Sequence, residues 1–204
     1  VLDTVVQGQS LPESMSAFLL PGLSVTGLSH TPVDQLSHGT SMAATVLHGL
    51  ASTTPEGTES TVRILPVDIY GGREETSTFD VALGVYAAIN AGATVINMSL
   101  AGDGDSGLLR QLIQQGQRQG ILFFAAAGNE PVSTPTFPAA YPEVVAVTAT
   151  DRRGNIAPYA NRGAFVDVAA PGRSLVQFNG ESFVVTGTSA STAYVSGTAA
   201  GLRA

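Results

Sequence analysis

The feature that most constrains this chain is a series of short, almost wholly apolar runs separated by stretches of helical periodicity. Residues 62–67, 93–98, 121–126, 144–148, 165–169 and 183–186 are dominated by Val, Ile, Phe and Ala, and most show no polar alternation. A strand with one wet face alternates polar and apolar residues, so a run that is apolar throughout must be covered on both faces. Residues 38–51, 77–91, 106–118 and 189–202 carry helical spacing. Ser77 and Ser106 each stand just before such a stretch, where a hydroxyl can accept a first-turn N–H as an N-cap. The order is β-α-β units early, a strand-rich stretch later, and one terminal helix. It predicts an α/β fold, a doubly wound and mostly parallel sheet with helices on both faces. Chemistry in such sheets gathers at the carboxyl ends of the strands.

Composition narrows the function classes. The 204 residues suit one domain, and 44% hydrophobic with only 12% charged residues excludes a disordered chain. We expect a single domain over 1–204, cut through an element at each end. Asp3 follows only two residues, and the last helix reaches Ala204 without a cap. A propeptide or flanking domains outside this stretch fit that expectation. A net charge of −7 opposes a nucleic-acid or anionic-membrane partner. With no cysteine there is no disulfide framework and no thiolate nucleophile or metal site. No apolar run approaches a membrane span, and no signal peptide is recognisable. We expect a secreted or periplasmic bacterial protein, with a cytoplasmic one left open.

Four short motifs carry possible chemistry. Val1-Leu2-Asp3-Thr4 ends an apolar run with a carboxylate; His38-Gly39-Thr40 opens a helix with an imidazole. Gly187-Thr188-Ser189-Ala190 joins strand to helix, and Ala126-Ala127-Gly128-Asn129 ends a strand in a turn. Taken singly, each reads as a turn residue or a helix cap. Taken together they supply the parts of a nucleophilic hydrolase. Serine needs a base, histidine has a suitable pKa, and a buried carboxylate fixes the histidine tautomer. An asparagine amide can donate to the oxyanion. His30 and His48 lack a zinc-binding spacing relative to His38, and residues 103–107 lack the glutamate an EF-hand requires; neither is read as a metal site.

The order Asp, His, Asn, Ser resembles that of the subtilases, the subtilisin-like serine proteases, and the local words match too. Val95-Ile96-Asn97-Met98-Ser99-Leu100 and Ala125-Ala126-Ala127-Gly128-Asn129-Glu130 are similar to the family's substrate-binding strand and oxyanion loop. Tyr141-Pro142-Glu143-Val144-Val145-Ala146-Val147 and Asp167-Val168-Ala169-Ala170-Pro171-Gly172 resemble its later scaffold motifs. The resemblance implies a serine endopeptidase acting on polypeptides, with Asp3, His38 and Ser189 as triad, Asn129 as oxyanion donor, and no metal or organic cofactor. It implies that Ser99, Leu100, Ala101 and Gly102, with Ala126, Ala127 and Gly128, wall the pocket for the residue before the cleaved bond. Thr136 is the candidate for its floor. Residues 72–76, with Arg73 and Glu74, are expected as an edge strand pairing with the substrate backbone.

The chain departs from the family pattern at Val5, where glycine is usual, and at Ser41, where a second histidine is usual. It departs again at Ala190-Ser191-Thr192-Ala193-Tyr194, in place of Met-Ala-Ser-Pro-His. The family's calcium loop is not recognisable over 51–61 and is not carried over. The alternative reading is a catalytically impaired scaffold that binds peptides or a partner protein. A carboxylate-base serine peptidase is opposed by His38-Gly39-Thr40 and Asn129.

Overall fold

The computed structural model describes residues 1–27 and 34–204; His30 lies outside the described residues. The sheet has seven strands: β1 (Leu2–Asp3), β2 (Leu23–Ser24), β3 (Val67–Asp68), β4 (Val95–Met98), β5 (Leu122–Ala126), β6 (Val145–Thr150) and β7 (Val168–Pro171). Their spatial order is β2-β3-β1-β4-β5-β6-β7, and every pairing is parallel. An antiparallel hairpin of β8 (Arg173–Phe178) and β9 (Glu181–Thr186) stands apart from it.

The helices are α1 (Glu13–Ser16), α2 (His38–Ala51), α3 (Thr78–Asn90), α4 (Gly107–Arg118) and α5 (Thr188–Arg203). Ser37, Ser77 and Ser106 are the N-caps of α2, α3 and α4, each accepting a backbone N–H through its side chain. Both faces of the sheet are covered. Leu2, Val67, Ile96, Met98, Phe123 and Ala125 pack with Val81, Val85, Leu109 and Ile113 of α3 and α4. Phe124, Val147 and Ala170 turn the other way, toward Val195 and Ala199 of α5. Adjacent residues such as Phe123 and Phe124 therefore enter different cores, which is why these runs are apolar throughout.

On that second face α2 and α5 pack backbone to backbone. A Cβ at Gly197 would lie 1.9 Å from the Val46 carbonyl oxygen, and one at Gly49 would lie 2.0 Å from that of Tyr194. Only glycine permits this approach. Val46 faces Gly197 and Leu50 faces Gly201, an offset of 151 residues. The helices thus run parallel, and the same offset carried back to their first turns pairs position 38 with position 189.

The structure corrects three expectations about elements. The run at 62–67 is a strand only from Val67, with an isolated bridge from Ile64 to Leu19. The run at 183–186 is a strand, the end of β9, but it lies in the β8–β9 hairpin and is largely exposed instead of covered on both faces. Residues 72–76 form no strand: Gly71 and Gly72 turn the chain at φ 58° and 80°, and Arg73 folds back onto the Tyr70 carbonyl and Asp80.

Candidate active site

Strand order reverses between β1 and β4, the place where a doubly wound sheet opens a crevice beyond its strand ends. Asp3 ends β1 and is almost fully buried. Its Oδ1 accepts the Thr4 N–H at 2.7 Å, and both carboxylate oxygens lie against His38 Nδ1, at 2.8 and 2.9 Å. An ionised carboxylate only accepts, so Nδ1 carries the proton and Nε2 is left as the basic nitrogen. The charge of Asp3 raises the His38 pKa above its ordinary 6.5, against a smaller opposing effect of burial.

The start of α2 is fastened beneath the histidine. Thr4 Oγ1 accepts the Gly39 N–H at 2.8 Å, and the Ser37 hydroxyl donates to the Val5 carbonyl at 2.7 Å. Gln7 Oε1 accepts the Ser37 N–H at 2.9 Å. Ser41, one of the departures from the family pattern, donates its buried hydroxyl to the Ser37 carbonyl at 3.1 Å.

Ser189 lies in the first turn of α5. Its hydroxyl donates to the Ser99 carbonyl at 3.1 Å, and the Ser99 hydroxyl donates to the Ser189 carbonyl at 3.0 Å. Among the described residues no hydrogen bond joins Ser189 Oγ to His38 Nε2. The serine hydroxyl points instead to the carbonyl of Ser99, just beyond the end of β4. Ser99 is itself held by Asn97, whose amide donates to Ser99 Oγ at 3.0 Å and accepts from Ser196 of α5.

Asn129 is anchored through its oxygen. Oδ1 accepts from Thr188 N at 2.9 Å and from Thr188 Oγ1 at 3.1 Å, which leaves Nδ2 free to donate beside Gly187. Thr188 Oγ1 also accepts the Gly128 N–H at 3.3 Å. Asn161 braces the same loop, donating its N–H to the Gly128 carbonyl at 3.0 Å and accepting the Glu130 N–H at 2.8 Å. Sequence reasoning missed Thr188 and Asn161 as supports. Thr188 carries a signal, standing inside the Gly187-Thr188-Ser189 motif; Asn161 sits among turn residues with no signal of its own.

The candidate substrate residues divide. Leu100, Ala101 and Gly102 line a cleft of about 340 Å³ with Tyr70, Glu74, Glu75 and Phe137. Ser99, Ala126, Ala127, Gly128, Thr136 and Arg73 do not line it. Ala126 and Ala127 are buried, and the Thr136 hydroxyl donates to the Ala127 carbonyl at 2.7 Å. Arg73 is spent on Asp80 at 2.7 Å. No group of three or more His, Cys, Asp or Glu that could hold a metal is found among the described residues. No helix there is long and apolar enough to cross a membrane.

A parallel doubly wound sheet with a carboxylate–imidazole pair at one strand end, and a serine and an asparagine amide across the crevice, defines a serine-hydrolase type of architecture. Comparison with known proteins makes the class specific. Residues 13–204 match the model of the subtilase family. Thermitase of Thermoactinomyces vulgaris is 34% identical over 98% of this chain and 72% of its own length. Alkaline elastase YaB of Bacillus sp. (strain YaB) is 35% identical over 82% of this chain and 45% of its own. A solved cold-adapted subtilisin-like serine proteinase superposes with a TM-score of 0.79 at 30% identity, over 98% of this chain and 72% of that one. The protease domain of PatA, solved as its S218A mutant, superposes with a TM-score of 0.76 at 28% identity, over 98% and 76%. The chain belongs to the subtilase family of serine proteases. It spans less than half the length of some curated relatives, 45% of alkaline elastase YaB among them. The family match begins after Asp3, so the part given to that residue stands on its contact with His38.

Proposed function

We propose that this chain carries the active site of a serine endopeptidase that cleaves polypeptides through an acyl-enzyme on Ser189. The observation that carries the reading is the Asp3–His38 contact at the start of α2, on a helix whose 151-residue offset from α5, carried back to the first turns, pairs 38 with 189. A peptide carbonyl seated in the crevice draws the Ser189 hydroxyl away from Ser99 by rotation about χ1 between staggered wells. His38 Nε2 takes the hydroxyl proton as Oγ attacks the carbonyl carbon, and Asp3 stabilises the resulting imidazolium. The oxyanion accepts from Asn129 Nδ2 and from the Ser189 N–H, a first-turn donor with no partner within its helix. Collapse expels the amine, which leaves with the proton from His38. Water activated by the same imidazole then releases the acyl group and restores the serine.

Leu100, Ala101, Gly102 and the 126–128 loop serve the part of the substrate before the cleaved bond, and Thr136 braces that loop through Ala127. Residues 74–76, although they form no strand here, offer backbone groups to a substrate strand. We take 1–204 as part of one catalytic domain, and a secreted or periplasmic site of action fits the bacterial relatives named above.

A second reading, a scaffold that binds peptides without cleaving them, is favoured by one observation: the serine hydroxyl is bonded to Ser99 and not to His38. Labelling with a fluorophosphonate separates the two. Wild type should be labelled at Ser189 and hydrolyse a chromogenic peptide, and Ser189→Ala should do neither. An unlabelled, inactive wild type would establish the scaffold.

A further inference from the structure

From Ser189 the crevice leads two ways, and the two directions carry opposite charge. Toward β4, the reciprocal Ser99–Ser189 bonds open onto the cleft of Leu100, Ala101 and Gly102, whose charged lining residues are Glu74 and Glu75. Asp103 and Asp105 follow directly on that wall and are exposed, and Glu130, also exposed, follows Asn129. The basic residue nearest in sequence, Arg73, is neutralised against Asp80.

The other way, Gly187 packs beside the Asn129 amide, and the preceding residue, Thr186, lines a second hollow of about 320 Å³. Its charged lining residues are Arg152, Arg153, Arg173 and Asp151, arranged around Tyr159. Three of the chain's nine basic residues thus meet in one hollow of a molecule with net charge −7. All three arginines are exposed, and among the described residues none is in an ion pair. Asp151 shares this hollow, its Oδ1 accepting the Arg153 and Asn155 N–H groups of its own turn at 2.8 and 3.0 Å, so three guanidinium groups stand against one carboxylate. The Tyr159 hydroxyl is fixed on the Gly172 carbonyl at 3.1 Å, close enough to Arg173 for its charge to be felt.

We propose that this cleft is charge-polarised and selects peptides with basic residues before the cleaved bond and acidic residues after it. The proposal rests on the endopeptidase reading, in which the acyl part lies along 99–102 and the departing amine takes the opposite direction. Guanidinium groups bind carboxylates in a two-pronged fashion, so Glu or Asp side chains suit the arginine hollow. Glu74 and Glu75 in turn favour Arg or Lys on the acyl side. The charges are exposed, so each contributes modestly and salt weakens it.

The test uses three quenched fluorescent peptides with one neutral core. The first has Arg before and Glu after the bond, the second has these exchanged, and the third has Ser at both places. The expected order of kcat/KM is first, third, second, with about two- to fivefold per charge and a gap that narrows at 1 M salt. Arg152→Glu with Arg153→Glu should reverse the preference after the bond and keep that before it, each rate being divided by the same variant's rate on the neutral peptide. Glu74→Lys with Glu75→Lys should do the converse. If the neutral peptide is cleaved and charge makes no difference, or the exchanged peptide is preferred, the polarity is overturned and the endopeptidase reading survives. If wild type cleaves none of the three, both fall together.

Discussion

Asn129 is held by its oxygen, and among the described residues its nitrogen has no hydrogen-bond partner. Such a group can do little for a ground-state carbonyl and much for an oxyanion. Asn129→Leu should lower kcat by about 10²–10³, the loss seen when the equivalent donor is removed from subtilisin, while KM hardly moves. A mutant that chiefly raises KM would make Asn129 a binding residue instead. In Ser189→Ala, adding Asn129→Leu should cost far less than it does alone, because groups acting as a unit are not additive. Beside the serine, the fully buried Ala190 stands where the family usually has methionine. Its side chain has no sulfur to oxidise, so peroxide should leave turnover largely intact. Loss of activity on a timescale that leaves Met15, Met42 and Met98 unmodified by mass spectrometry would contradict this.

At the scale of elements, the site depends on how closely α2 and α5 approach. Gly197→Ala pushes a Cβ into the Val46 carbonyl, a backbone atom that cannot swing aside. The helices must separate or slide, at about 1–3 kcal/mol, and the setting of His38 against Ser189 on which the proposed mechanism depends is lost with them. Both Tm and kcat should fall. Gly107→Ala is the control: it lies in the first turn of α4 with open space around it and should leave stability unchanged or improve it. Equal losses in the two variants would remove the packing argument.

The same elements show what sequence could and could not tell. Runs such as 93–98 and 121–126 were legible because both faces of β4 and β5 are buried, and Ser77 and Ser106 announced their helices because capping is local. The β8–β9 hairpin was half missed. Arg173–Phe178 alternates exposed and buried residues, and its turn is Asn179-Gly180, with Asn179 at φ 50° and Gly180 at φ 80°. That pair is a hairpin signal, but it is local to the turn and adds nothing to a continuous apolar run. The edge strand expected at 72–76 needs a partner strand to form a ladder, and the glycine turn at 71–72 gives it none. The four candidate catalytic residues were legible as types at strand ends and helix starts. The orientation of Asn129 was not, because it depends on Thr188 and Asn161, contacts made across 59 and 31 or more residues of chain.

For the whole molecule, titration of the site and titration of the fold separate on the pH scale. In the proposed mechanism turnover needs neutral His38, and Asp3 raises its pKa above 6.5, so activity should fall on acidification with a midpoint above the ordinary histidine value. Protonating His38 does not itself loosen the fold. A group whose pKa is raised by folding contributes stability that is fully present below its unfolded value and is lost only as pH rises through the folded one. His48 works the other way: burial lowers its pKa, so protonation below 6.5 favours unfolding and opposes the gain at His38. The depressed carboxylates act later. Asp80, bonded to Arg73 and Ser77, and Glu143, bonded to Gln114 and Arg110, contribute stability above their ordinary values of 3.8 and 4.5 and lose it as pH falls below them. Between these windows, near pH ~5, the chain should be folded and inactive. Circular dichroism at that pH should match the neutral spectrum, hydrolysis should be nearly absent, and returning to neutrality should restore it at once. An activity maximum near pH 4 would point to a carboxylate base in place of His38. Loss of the folded spectrum together with activity would show that the acid limb reports unfolding and not the imidazole.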